Sequence, residues 1–150
     1  MLIVILLFLL TNVSWAEGAF GTWKMNPARS TFTGDPHPRA VTVRIEPHPK
    51  GEMFTFDRIR ADGGAATLSL ILYLDGRERD FDSEECPGLQ SSRRLDGRTV
   101  EIFCTCQERS VHFIRRLPAQ PNQLILDITE SFADGRHFER HLVLEKQNEK

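Results

Sequence analysis

The chain has 150 residues and a formal net charge of −2, a length that fits one domain. Its basic residues are scattered, with only Arg93-Arg94 and Arg115-Arg116 adjacent. Neighbours in a strand point to opposite faces, so neither pair makes a basic patch, and the charge pattern argues against nucleic acid as a partner.

The chain opens with the apolar run Met1 to Leu10, followed by Thr11-Asn12 and Val13-Ser14-Trp15-Ala16. The apolar stretch falls short of the about 20 residues that span a bilayer. Ser14 and Ala16 are small residues at the −3 and −1 positions of a cleavage site. No Lys or Arg precedes the run, which is atypical. The expectation is a signal peptide over 1–16 cleaved after Ala16, a single domain over 17–150, a secreted or periplasmic location, and no transmembrane span after signal removal.

Ten segments are expected as strands: 20–25, 40–46, 52–60, 65–74, 77–82, 89–95, 98–107, 110–117, 123–131 and 136–145. The clearest alternation sets Leu68, Leu70, Leu72 and Leu74 against Thr67, Ser69, Ile71 and Tyr73, the period-two pattern of a half-buried strand. Four Asp-Gly pairs punctuate the segments: Asp62-Gly63, Asp75-Gly76, Asp96-Gly97 and Asp134-Gly135. Tight hairpins need positive φ, which Gly supplies without steric cost. Asn26 to Arg39 holds three prolines and is expected as an extended loop; Ser83 to Gly88 is a second loop. The tail Glu145 to Lys150 is expected to be disordered beyond its first residues. Repeated hairpins imply an antiparallel up-and-down meander. Closing it into a barrel of about 8–10 strands removes exposed edges; a β-sandwich is the competing architecture.

The last hairpin carries a register argument. A two-residue turn at Asp134-Gly135 would set Phe132 against His137 and Ile128 against His141, an apolar row against a polar one. A three-residue loop restores the match, and a one-residue slip is costly when one face is buried. The expected geometry is a type I turn with Gly135 as the left-handed residue of a G1 bulge.

Phe20-Gly21-Thr22-Trp23 opens the mature domain. A Gly-x-Trp on the first strand of an up-and-down barrel resembles the lipocalin signature. The longer stretch Gly21 to Phe32 resembles the opening of small secreted bacterial lipocalin-like, calycin-type proteins that are largely uncharacterised. The resemblance implies that Trp23 plugs the closed end behind Gly21 and that a basic residue of the last strand packs over it. Arg140, between Phe138 and Leu142 on the apolar row, is the matching residue, with its cation over the indole face. No second lipocalin motif and no C-terminal helix are visible, so no lipocalin ligand is carried over.

Three further constellations carry candidate chemistry. His137-x-Glu139-x-His141 places three metal-ligating side chains on one strand face, with Asp127 and Thr129 on the same face of the partner strand. This is a Zn²⁺-type donor set with room for water, set against an ordinary solvated outer face. His37 and His48, each between prolines, could form a rim site. The cysteines are odd in number: Cys86, Cys104 and Cys106. Cys104 and Cys106 share a strand face with Cα atoms roughly 6.5–7 Å apart, a span that would strain a bridge. The expectation is one loop-to-strand disulfide from Cys86 and one buried free thiol. A Cys–His pair with His112 is disfavoured because a thiol among apolar residues is inert. No Gly-x-Ser-x-Gly elbow is present.

The leading reading is a non-enzymatic barrel that binds a small hydrophobic ligand, lined by Leu70, Leu72, Ile102, Phe113, Leu126, Ile128, Phe138 and Leu142, with polar residues at the mouth. The alternatives are a metal-binding or metal-dependent protein using His137, Glu139 and His141, and an envelope structural or interaction protein. The oligomeric state stays open.

Overall fold

The computed structural model describes residues 17–34, 36–82 and 87–148; the expected signal peptide, Cys86 and the last two residues of the tail lie outside them. A 3₁₀ turn at Glu17–Ala19 leads into eleven strands: Gly21–Met25 (β1), Thr31–Phe32 (β2), Ala40–His48 (β3), Gly51–Ile59 (β4), Ala65–Leu72 (β5), Arg79–Phe81 (β6), Gly88–Asp96 (β7), Thr99–Cys106 (β8), Arg109–Arg116 (β9), Gln123–Phe132 (β10) and His137–Lys146 (β11). All pairings are antiparallel, in the order β5-β4-β3-β1-β11-β10-β9-β8-β7-β6. The described residues contain no α-helix. The result is an all-β, nearly closed barrel. The ten expected segments are all present, with ends shifted by up to two residues.

The alternation of side chains explains the closure. On β5 the buried residues are Ala66, Leu68, Leu70 and Leu72, with Thr67 and Ser69 outside. On β10 and β11, Leu124 faces Leu144 and Leu126 faces Leu142, and all four are buried. Each strand turns its apolar row inward, which removes apolar area from water at roughly 25 cal/mol per Å². The last hairpin has the expected register: Ser131 pairs with His137, and Gly135 N–H donates to Phe132 O at 3.0 Å with φ +92° at Gly135. The β4–β5 loop repeats the device. Gly63, at φ +89°, donates to Arg60 O at 2.9 Å, so Ala61-Asp62-Gly63 and Ala133-Asp134-Gly135 are the same turn.

Two expectations are corrected. Asn26 to Arg39 is not wholly a loop, because Thr31–Phe32 forms β2 against His141 and Arg140 of β11. β1 is five residues long and reaches only Leu144 to Lys146 of β11, which leaves the rest of that β11 edge for β2 to satisfy. Asp75-Gly76 does not close a hairpin. β5 and β6 lie at the two ends of the sheet order, and Asp75 instead bridges to Arg93 of β7. With Gly76 N–H on Ser92 O at 2.8 Å and Leu74 N–H on Ser92 Oγ at 3.0 Å, this short seam is where the barrel meets itself.

The barrel has a closed and an open end. At the closed end Trp23 is buried and its indole N–H donates to Ala19 O at 2.9 Å. The open end carries the β4–β5, β8–β9 and β10–β11 loops and the segment after β2.

Candidate functional site

The inward rows do not fill the open half. A cavity of about 300 Å³ lies there. Phe56, Leu68, Val111, Phe113 and Ile128 make its apolar walls. Phe113 forms the turning point, edge-on to Phe54 at 5.9 Å and to Phe56 at 5.8 Å between ring centroids, a favoured aromatic geometry. Phe132 and Phe138 stand nearer the rim, edge-on to each other at 5.9 Å. Pro36, His37 and Pro38 border the mouth. His37 stacks on Phe32 at 4.5 Å, so β2 sets the position of this segment.

Among the described residues, Arg58, Arg60, Arg109, Glu130, Arg136 and Arg140 bring charge to the cavity wall. Glu130 follows Ile128 on the inward row of β10, and its side chain is 9% exposed. Arg109 Nη1 donates to Glu130 Oε1 at 3.2 Å and Arg140 Nη1 to Glu130 Oε2 at 2.9 Å. The two guanidinium groups keep 21% and 16% of their side-chain surface exposed. Arg60 and Arg136 also reach the mouth, close to the loop carboxylates Asp62 at 4.0 Å and Asp134 at 2.7 Å.

The closed end is built differently. Glu52 and Arg115 are buried and joined at 2.7 Å, and Arg94 reaches the other oxygen of Glu52 at 3.5 Å. Burial pushes the Arg115 guanidinium below its usual range, and Glu52 opposes that shift. Arg115 Nη1 is buried and meets no acceptor among the described residues.

Of the expected lining, Phe113, Ile128 and Phe138 border the cavity. Leu70, Leu72, Ile102, Leu126 and Leu142 are buried in the core and do not border this cavity. Alternation tells which face a residue takes but not its height along the barrel: Leu126 and Leu142 pair one inward step nearer the closed end than Ile128 and Arg140. Arg140 does not lie over Trp23 as expected. It pairs with Glu130 and sits 5.8 Å from the Phe138 ring. The basic residue over the indole is Lys146, at 5.6 Å, because β1 pairs Trp23 with Lys146. Gly21 lies with Lys146 close by, its φ at +133°.

The last strand does not gather its three candidate metal ligands onto one position. His137, Glu139 and His141 do share the outer face, but they pair off separately. His137 contacts Glu139 at 3.2 Å and Ser131 at 3.1 Å, and His141 contacts Asp127 at 2.5 Å. Among the described residues no three His, Cys, Asp or Glu side chains converge on a metal position. His48 sits at the β3–β4 turn, where its Nδ1 accepts from Lys50 N–H, at the far end from His37. Cys104 is a free thiol buried inside the barrel, and burial pushes it up to about 12. His112 stacks on exposed Phe103 at 4.2 Å on the outer face, so no Cys–His pair forms. Cys106 is disulfide-bonded.

Sequence reasoning missed Glu130 and Arg109. The signal was the register itself: Ile128 pairs with Arg140 and Phe132 with Arg109, which makes Glu130 the diagonal neighbour of both arginines.

No protein-family model and no curated protein sequence matches the chain. Solved structures do resemble it. The zebrafish ileal bile acid-binding protein, solved with cholic acid, superposes with a TM-score of 0.52 at 14% identity, covering 87% of this chain and 99% of that one. A fatty acid binding protein of Schistosoma mansoni, in complex with arachidonic acid, gives 0.52 at 10% identity over 89% and 98%. The fluorescent protein UnaG gives 0.53 at 12% identity over 88% and 99%. At such identities the likeness defines the fold, a calycin barrel of the fatty-acid-binding-protein type.

Proposed function

We propose that this protein is an exported carrier that holds a small hydrophobic molecule in the open half of its barrel. The observation that carries the reading is the 300 Å³ cavity walled by Phe56, Leu68, Val111, Phe113 and Ile128. Its volume lies at the small end of ligand pockets, and its apolar walls offer the driving force of surface burial. The fold supports the reading: two neighbours of the same architecture were solved with cholic acid and with arachidonic acid. Export rests on the apolar run ending at Ala16 and on the disulfide-bonded state of Cys106, which suits an oxidising compartment.

The test is native mass spectrometry of protein purified from its own host, together with titration of the neutral dye N-phenyl-1-naphthylamine. The expected result is a small-molecule adduct and saturable fluorescence that Leu68→Trp, which fills the cavity, abolishes with the circular dichroism unchanged. Absence of both adduct and dye binding would overturn the carrier reading.

A further inference from the structure

We infer that the closed end of the barrel holds one monatomic anion, chloride, on the buried Arg115 guanidinium. This site lies apart from the open-half cavity and does not depend on what that cavity carries.

Arg115 keeps only 3% of its side-chain surface exposed. Its Nη2 donates to Glu52 Oε2 at 2.7 Å, but its Nη1 is buried and meets no acceptor among the described residues. Buried polar groups without a partner are few in folded proteins, and a charged donor left bare in an apolar space is the costliest kind. The walls supply nothing for it. Val100 and Leu126 stand opposite Arg115 on the flanking strands, Leu72 stands opposite Glu52, and all three belong to the packed core.

The charges do not balance either. Glu52, Glu101 and Glu130 are the buried carboxylates among the described residues. Glu130 lies at the open end. Glu101 alternates with the inward Val100 and Ile102, so it takes the outer face, where Arg93 at 2.6 Å and His112 at 3.0 Å hold it. Two acids flank this end of β7. Asp75 is bound by Arg79, and Asp96 accepts from the Arg98 N–H at 2.8 Å. Glu52 is left to serve both Arg115 and Arg94, a trio with one positive charge in excess. Burial, together with the nearby charge of Arg94, pushes the Arg115 guanidinium below its usual range against the pull of Glu52.

An anion answers both deficits. Guanidinium groups are donors only, and an anion needs nothing but donors. A water in this place needs about 2–4 polar partners, acceptors for its own protons included, and leaves the excess charge uncompensated. The packed walls exclude a bulky organic acid and suit a single atom. Arg94, 32% exposed, marks the side from which the ion enters.

The experiment has two arms. In the first, crystals of the protein soaked in sodium bromide are measured at the bromine absorption edge. The expected result is an anomalous peak within hydrogen-bonding distance of Arg115 Nη1. In the second, thermal unfolding is followed as sodium chloride replaces sodium gluconate, an anion too large for the site, at constant ionic strength. The Tm is expected to rise by about 3–6 °C for each tenfold increase in chloride above its dissociation constant, with no rise in gluconate alone. Arg94→Gln removes the excess charge and should move the response to chloride concentrations on the order of tenfold higher. Glu52→Gln combined with Arg115→Met removes both charges of the pair together, so neither is stranded, and should abolish the peak and the chloride response. Absence of a peak at Arg115 with equal Tm in chloride and gluconate overturns the site and leaves an internal water as the partner of Nη1. Peaks confined to the surface overturn it equally, as an adventitious ion only. A peak that persists in the double variant overturns the assignment to Arg115.

Discussion

Each end of the barrel interior holds one glutamate between two arginines. Glu52 lies between Arg115 and Arg94 at the closed end, and Glu130 between Arg109 and Arg140 at the open end. The closed-end pair of Glu52 and Arg115 is sealed among packed leucines, with side chains 2% and 3% exposed. The open-end trio borders a cavity and keeps some contact with water. The same three charges therefore serve two purposes. Desolvation makes the Glu52–Arg115 pair rigid, because breaking a sealed pair leaves a bare charge in a low-dielectric core, while Arg94 at its edge is 32% exposed. Partial hydration leaves the second exchangeable, because water can replace any partner it loses. A barrel that is solid at one end and hollow at the other is thus also ionic in two different ways.

Breaking the closed-end cluster should have the largest effect. Glu52→Ala strands Arg115 and is expected to cost about 3–5 kcal/mol in denaturant unfolding. Leu126→Ala, in the packed layer beneath the cavity, should cost about 2–5 kcal/mol by the same measurement. Glu130→Gln provides the contrast, with a loss of about 1 kcal/mol; a loss as large as that of Glu52→Ala would erase the distinction between the ends. Gly135→Ala is comparable to Glu130→Gln, at about 1–2 kcal/mol, because φ is +92° there while nothing lies near its added Cβ. The smallest effect concerns the seam. Arg79 hydrogen-bonds Asp75 and the Arg77 backbone amide adds a second bond, together holding its carboxyl well below the usual range. A depressed carboxyl stabilises the fold above its unfolded pKa, near 4, and that contribution fades as pH falls toward the folded value. In unfolding measured across pH, the gap between wild type and Asp75→Asn should therefore narrow below about pH 4, and a gap that widens on acidification would contradict the sign.

Much of the fold was legible because period-two alternation and Asp-Gly turns are local signals. The Gly135 bulge followed from parity alone, and with it the outward orientation of His137, Glu139 and His141. β2 escaped notice because two residues, Thr31 and Phe32, carry no alternation; only the short reach of β1 reveals the vacant β11 edge. Asp75-Gly76 misled because a turn signal says that the chain bends, not which strand it meets next. The site was less legible than the fold. Leu126 and Phe113 look alike in sequence, but only their heights along the barrel decide which packs and which lines a void. Arg140 was placed on the correct row and given the wrong partner, since Trp23 lies near the other end of β11. Glu130 interrupts an apolar row, and only the strand register puts Arg109 and Arg140 on its two diagonals.

The most direct test of the two-ended account is a methyl-detected NMR titration with N-phenyl-1-naphthylamine. The account predicts saturable shifts of the Leu68, Val111 and Ile128 methyls, with Leu72, Leu124 and Leu144 unmoved. Shifts centred on Leu72, Leu124 and Leu144, with the open-end methyls silent, would contradict it.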